Sequence, residues 1–199
     1  MSKAKAPNEQ VLQASLVILN KFGYGALCLT EVAKHLKVTK QRIYYHYPGS
    51  EEILLQLAKK WSESGQLHTL EALACTKENG SYRVKAMAEG MFNWMEADSD
   101  LARLGLVLYQ LSPHIKRLGT FMDVAREAGR ARMKSLLLLD PQFQKLKAKD
   151  LDGIVTVLHS HMYGFFFYAV AMGDFTHLEE IRQNCLNGLQ ELLLSYSKV

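Results

Sequence analysis

FGYGALCLTEVAKHLKVTKQRIYYHYPGSEEIL, residues 22–54, decides the architecture of this 199-residue chain. Leu29, Val32, Ala33 and Leu36 recur at helical spacing and predict a short helix with one apolar face. Lys37-Val38-Thr39 follows as a tight turn, and threonine suits the N-cap of the next helix. That helix is expected from Thr39 to about Tyr47, where Pro48 pushes its predecessor out of helical backbone. Two short helices that cross closely need a small residue at the crossing, and Ala33 supplies it. Val32, Leu36, Val38 and Ile43 are spaced to fill the core between them. This is the logic of a helix-turn-helix, whose second helix lies in a DNA major groove.

The outer side of that second helix presents Lys40, Gln41, Arg42, Tyr45 and His46. Lys and Arg suit guanine edges or phosphates, Gln can bracket adenine, and a Tyr hydroxyl reaches phosphate oxygens. A solvated face on any short helix has the same polar character, and spacing alone leaves both readings open.

Working outward, a first helix is expected over about Asn8–Phe22, with Leu12, Leu16, Leu19 and Phe22 on one stripe and Gly23 and Gly25 ending it. Pro48-Gly49 is a turn, and Ser50 caps a fourth helix whose first turn carries Glu51 and Glu52, where the helix dipole favours negative charge. That helix continues through Leu54, Leu57, Ala58 and Trp61 towards Leu73. A polar break at Cys75–Ser81 precedes helices expected at about 81–97, 100–111, 114–137, 150–172 and 176–197. Asp140-Pro141 and Lys145–Lys149 form the loop before the last pair. No stretch alternates with period two. The expected fold is all-α: a helix-turn-helix head, residues 1–49, and a larger helical body, residues 50–199.

Charge sharpens this division. Residues 1–60 hold nine Lys/Arg and four Asp/Glu, while residues 61–199 hold 15 and 16. A basic module on a near-neutral body suggests a polyanion partner for the module, although a surplus this small also arises by chance. Cys28, Cys75 and Cys185 are scattered and odd in number, which argues against a disulfide framework or zinc site and fits a reducing cytoplasm. Residues 1–7 carry lysines with no apolar run after them, unlike a signal peptide. Ile154–Met172 is apolar but interrupted by Thr156, His159, Ser160, His161 and Tyr163, which favours a buried helix over a membrane span. There is no G-x-S-x-G, P-loop, H-E-x-x-H or dinucleotide fingerprint, so neither an enzyme nor a cofactor is expected.

The quoted stretch resembles the DNA-binding head of the TetR family of transcriptional regulators. The resemblance rests on Gly23-Tyr24, Val32-Ala33, Val38-Thr39, the IYYHY run Ile43–Tyr47, Pro48 and Glu51-Glu52, and covers about a quarter of the chain. It implies a homodimer whose C-terminal helices enclose an effector pocket, and in most members a repressor released from DNA by ligand. It further implies base reading by Lys40 and Gln41, phosphate contacts by Thr39, Tyr44, Tyr45 and His46, and either role for Arg42. Three positions depart from the family pattern. Lys37 stands where glycine is usual; a positive φ there would cost on the order of 1 kcal/mol, and its ammonium could add a phosphate contact. Cys28 stands where Ser or Thr is common, so the second helix is capped less well or starts at Thr30. Ser50 replaces a lysine that would touch phosphate.

In the body, Ile154, Leu158, His161, Phe165, Tyr168 and Met172 form one stripe of helix 150–172, and Val155, Met162, Phe166 and Ala169 another. A helix apolar all round must be covered twice. With Leu178, Ile181, Cys185, Leu189, Leu192 and Tyr196 on the last helix, and Leu186 and Leu193 beside them, the terminal pair could form a two-fold four-helix interface. Val155, Met162, Phe166, Leu186, Leu189 and Leu193 are its candidates, with internal core as the alternative. Met91, Trp94, Met95, Tyr109, Phe121, Met122, His161, Phe165 and Tyr168 are candidate lining for an effector pocket, again with plain core as the alternative. His159 and His161, two apart on a helix, are a poor metal pair, and no metal is expected. Few acidic residues accompany these stripes, which favours a neutral or anionic effector. The expected function is therefore a palindrome-binding repressor responsive to a small apolar molecule. The alternative is a DNA-binding protein of the same fold governed by a protein partner or acting in chromosome organisation.

Overall fold

The computed structural model describes residues 8–77, 80–173 and 175–196, and among these it contains helices and no strand. The lysine-bearing segment 1–7, residues 78–79 of the expected polar break and residue 197 of the last expected helix lie outside the described residues. The chain forms α1 Asn8–Phe22, a 3-10 turn Tyr24–Ala26, α2 Leu29–His35, α3 Lys40–Tyr44, α4 Ser50–Cys75 and α5 Ser81–Ala97. It continues with α6 Ser99–Leu111, α7 Lys116–Leu137, α8 Pro141–Gln144, α9 Ala148–Met172 and α10 Leu178–Tyr196. Most ends fall within two residues of expectation. The short α8 was expected as loop. Asp140 supplies its N-cap, accepting from the Gln142 backbone N–H at 3.3 Å, and Pro141 takes the first helical position, where a missing N–H does no harm.

The helices gather into two compact units. The first comprises the chain up to Ser62 together with Asp100–Met122. Its core is Val11, Leu16, Ile18, Leu19, Val32, Ile43, Tyr47 and Ile53, joined by Leu101, Leu104, Leu108 and Leu118. Polar links run through the same unit: Asn20 Nδ2 donates to the Asp100 carbonyl at 2.9 Å, Lys60 pairs with Glu9, and Arg117 lies 3.1 Å from Glu52 and 3.8 Å from Glu51. Trp61 and Tyr109 meet edge to face at 6.3 Å. The expected boundary at residue 49 lies inside this unit. The expected α1 stripe also shifts. Val11, Ala14, Ser15 and Ile18 are buried beside Leu16 and Leu19, whereas Leu12 is only half-buried. Phe22, the last residue of α1, is 62% exposed, with the Lys21 ammonium 5.1 Å from its ring centroid.

The second unit comprises Glu63–Ser99 and the chain from Asp123 onwards. Here α9 packs on α10, and both pack on α5. By length and composition α9 could cross a membrane. Its inner face, Leu151, Ile154, Val155, Leu158, His159, Met162, Phe166, Ala169 and Val170, is instead buried inside the chain. Arg182 of α10 straps the layer together, lying 2.8 Å from Glu96, 3.4 Å from Glu179 and 3.9 Å from Glu89, with its guanidinium 5.7 Å from the Phe92 ring centroid.

Candidate nucleic-acid interface

The turn between α2 and α3 is set by backbone hydrogen bonds. The Val38 N–H donates to the Ala33 carbonyl at 3.0 Å and the Lys37 N–H to the Lys34 carbonyl at 3.1 Å. This crossed pair is a Schellman motif, which requires left-handed backbone at the residue after the C-cap. That residue is Lys37, at φ 54°. The strain expected for a non-glycine residue is therefore present, and the exposed side chain is held at the approach to α3. Lys37→Gly should leave stability within about 1 kcal/mol of wild type, because relief of strain offsets the greater freedom of the unfolded chain. Under the phosphate-contact reading, the same variant should bind DNA more weakly and lower the salt slope of binding by about one. An unchanged slope, measured by fluorescence anisotropy across a salt series, would reduce Lys37 to a turn residue.

α3 starts at Lys40 behind Thr39, whose backbone is extended at φ −79° and ψ 147° but whose hydroxyl makes no capping hydrogen bond. The helix is shorter than expected, with Tyr45 as its C-cap. Ile43 and Tyr47, four apart, point inwards and anchor it. Burial pushes the Tyr47 phenol above its ordinary pKa, and nearby Glu9 and Glu52 add to the effect. Lys40, Gln41 and Tyr45 are exposed as expected, Tyr45 to 74%, and Thr39 and Tyr44 are exposed beside them. Arg42 and His46 differ. Both are half-buried, and the Arg42 Nε and His46 Nε2 atoms are covered without a hydrogen bond among the described residues. Four apart on one side of the helix, they flank the head's core as much as the outer face. At the other end of the motif, Cys28 is the N-cap of α2 with extended backbone and no side-chain bond. The helix thus starts at Leu29, with the weaker cap that a thiol in place of a hydroxyl implies.

The sequence pattern described as bacterial regulatory proteins, tetR family, matches residues 11–57, which span α1 to the first turns of α4. Residues 11–57 thus carry the tetR-family pattern, and the likeness of the rest of the chain is one of fold. Solved structures of similar fold include a transcriptional regulator from Pseudomonas aeruginosa PAO1, with TM-score 0.79 and 16% identity over 96% of this chain and 92% of that one. Another, from Saccharomonospora viridis, was solved in complex with choline, with TM-score 0.74 and 16% identity over 92% of this chain and 95% of that one. A TetR-family regulator from Rhodococcus sp. gives TM-score 0.76 and 13% identity over 93% and 97%. No curated protein matches the chain by sequence.

The nine residues expected to line an effector pocket are divided between the two units. Tyr109, Phe121 and Met122 belong to the first unit, and the other six to the second. Met91, Trp94 and Met95 are buried on α5, with Trp94 stacked on Phe166 at 5.8 Å and 6°. His161 Nε2 lies 3.0 Å from the Cys185 carbonyl oxygen and its ring 4.9 Å from that of Phe165. Tyr168 is 56% exposed and is not enclosed within the chain.

The residues expected at a dimer interface require a correction. Val155, Met162, Phe166, Leu186, Leu189 and Leu193 are all buried inside the chain's own fold, because α5, α9 and α10 cover one another. They form internal core. The apolar side chains left open on α9 and α10 are Val157, Tyr168, Met172 and Leu194. Reading the sequence also missed Gly188, where an added Cβ would lie 2.4 Å from His161 Cε1. That glycine is the room in which the imidazole sits, and only the helix pairing discloses it.

Proposed function

We propose that the whole chain is a TetR-family regulator, a homodimeric repressor that reads a palindromic operator through α3 and is released by a small, largely apolar effector. It would act in the cytoplasm, on the chromosome. The observation that carries the DNA part is the split of α3 into an anchored side, Ile43 and Tyr47, and an exposed side, Lys40, Gln41, Tyr44 and Tyr45, with Lys37 held at its approach. Lys40 and Gln41 read base edges. Thr39, Tyr44, Tyr45 and His46 position the helix on phosphates, and Arg42 serves either role. One recognition helix per subunit of a two-fold dimer requires two related half-sites. The open side chains of α9, Val157, Tyr168 and Met172, mark the surface we assign to the dimer, in place of the buried set.

The effector part rests on the Met and aromatic side chains of the body, and on structures of the same fold that carry choline in one case and triclosan in another. A ligand releases DNA only if it prefers the conformation whose recognition helices no longer fit the grooves. α4 runs unbroken for 26 residues and contributes to both compact units, and it is the element we assign to carrying the effect of a ligand towards α3.

Selection from a random duplex library should return an inverted repeat. Lys40→Ala and Gln41→Ala should each relax preference at defined bases by about 1–3 kcal/mol. Tyr45→Phe should weaken all duplexes alike. A selection without an inverted repeat would overturn the dimeric reading, and a shifted preference in Tyr45→Phe would make Tyr45 a base reader.

A further inference from the structure

We propose that a cleft in the second compact unit, formed by the start of α5, the N-terminus of α8 and the end of α10, binds a small zwitterion of the free amino-acid class. The cleft has a volume of about 260 Å³ and is separate from the effector reading, since none of the nine residues considered there lines it. Sites for drug-sized ligands measure about 300–1,000 Å³. A space just below that range suits a smaller molecule.

Its lining includes one cation, Lys85 on α5, and one carboxylate, Asp140, and these two charges do not pair. Among the described residues neither has an ion-pair partner within 4.0 Å. Each is held by a neutral amide instead. Lys85 Nζ donates to Gln190 Oε1 of α10 at 3.0 Å. Asp140 accepts from Gln142, from the backbone N–H at 3.3 Å on Oδ1 and from Nε2 at 3.0 Å on Oδ2. The amides leave capacity on both charged groups, since an ammonium has three donors and a carboxylate about four lone-pair sites. Leu194, with the edge of the largely buried Leu193, adds an apolar surface to the same space.

The placement of Asp140 depends on Gly80. A Cβ there would lie 2.6 Å from Asp140 Cβ and 2.9 Å from Oδ2, and its φ of 60° is itself unfavourable for other residues. The backbone thus admits the carboxylate beside the first turn of α5. A simple anion would meet Asp140, and a simple cation would meet Lys85. A molecule carrying one carboxylate, one ammonium and an apolar side chain satisfies both charges and the leucines together.

Isothermal titration of the full chain with L-leucine tests this. Isoamylamine lacks the carboxylate and 4-methylpentanoate lacks the ammonium, so each should bind at least about tenfold more weakly. Lys85→Met and Asp140→Asn should each weaken L-leucine binding to the same degree, with far-UV circular dichroism melts confirming the fold. Asn at 140 keeps a capping acceptor for α8, and Lys85→Met leaves that cap untouched. The proposal is overturned if neither L-leucine nor a panel of the other apolar L-amino acids gives heat. It is also overturned if the singly charged analogues or inorganic phosphate bind as tightly, or if binding survives either substitution.

Discussion

Gly90→Ala is expected to destabilise the protein by about 2–3 kcal/mol and to lower its melting temperature by roughly 5–10 °C. Gly90 lies on α5 where that helix meets α4. A Cβ at this position would stand 2.6 Å from the Thr69 Cα and 2.7 Å from the His68 carbonyl oxygen. Both are backbone atoms inside a helix, so no side-chain rotation relieves the clash and the helices must separate. Separation would loosen Met91, Trp94 and Met95, which are buried on the same helix. Gly153 of α9 provides the control, because a Cβ there meets nothing within 4 Å. Alanine at that position should be neutral or stabilise by up to about 1 kcal/mol through helix propensity. Thermal melts of the two variants beside wild type test the argument. A Gly90→Ala protein melting within about 2 °C of wild type would show that α4 and α5 tolerate a wider spacing than their backbone contact implies.

Stability should also fall as the solution is made acidic, and His159 should be the largest single cause between pH 7 and pH 5. Its imidazole is buried on α9, with its ring stacked at 4.5 Å on Tyr163 and facing α7, where Gly129 leaves it room. Burial comes first in lowering its pKa from 6.5 to about 4, followed by Arg130 and Arg126, while Glu127 opposes them weakly. In the unfolded chain the group takes up its proton near pH 6.5, whereas in the fold it stays neutral until about pH 4. The unfolded state therefore binds more protons throughout that window. Stability is complete above it and drains away as the pH falls through it. With allowance for partial solvent screening, the loss by pH 5 is about 1–2 kcal/mol. His159→Gln removes the titrating group. The difference in unfolding free energy between wild type and variant should then narrow by that amount from pH 7 to pH 5, as urea titrations would record. Parallel profiles would show that the imidazole reaches solvent on protonation.

The head was legible in the sequence because short-range rules govern it. Apolar spacing marked Leu29, Val32 and Ala33, Pro48 marked the stop after α3, and an unusual lysine marked the turn. A Schellman turn involves six consecutive residues, so the left-handed backbone at Lys37 could be inferred from the type of residue that normally stands there. Local reasoning lost its grip even here where a side chain had a choice of partners. The Thr39 hydroxyl does not cap its helix, and Arg42 and His46 are half-covered by the head. Length and punctuation were enough to place the body helices, but not to say what each one touches.

The residues themselves determined that the described chain is all-helical, where most helices begin and end, and which short helix carries the exposed Lys40, Gln41 and Tyr45. Tertiary structure alone decided which apolar stripes meet within one chain. Val155, Met162, Phe166, Leu186, Leu189 and Leu193 have the periodicity of an interface, yet they are core because α5 and α10 lie against them. It also decided that Gly90 and Gly188 are sites of close approach, and that Lys85 and Asp140, 55 positions apart in sequence, line one cleft without pairing. The physical reason is that helix signals are written in neighbouring residues, through backbone hydrogen bonds and the 3.6-residue turn. The hydrophobic effect, by contrast, is non-directional: it requires that a stripe be covered and is indifferent to which distant element covers it.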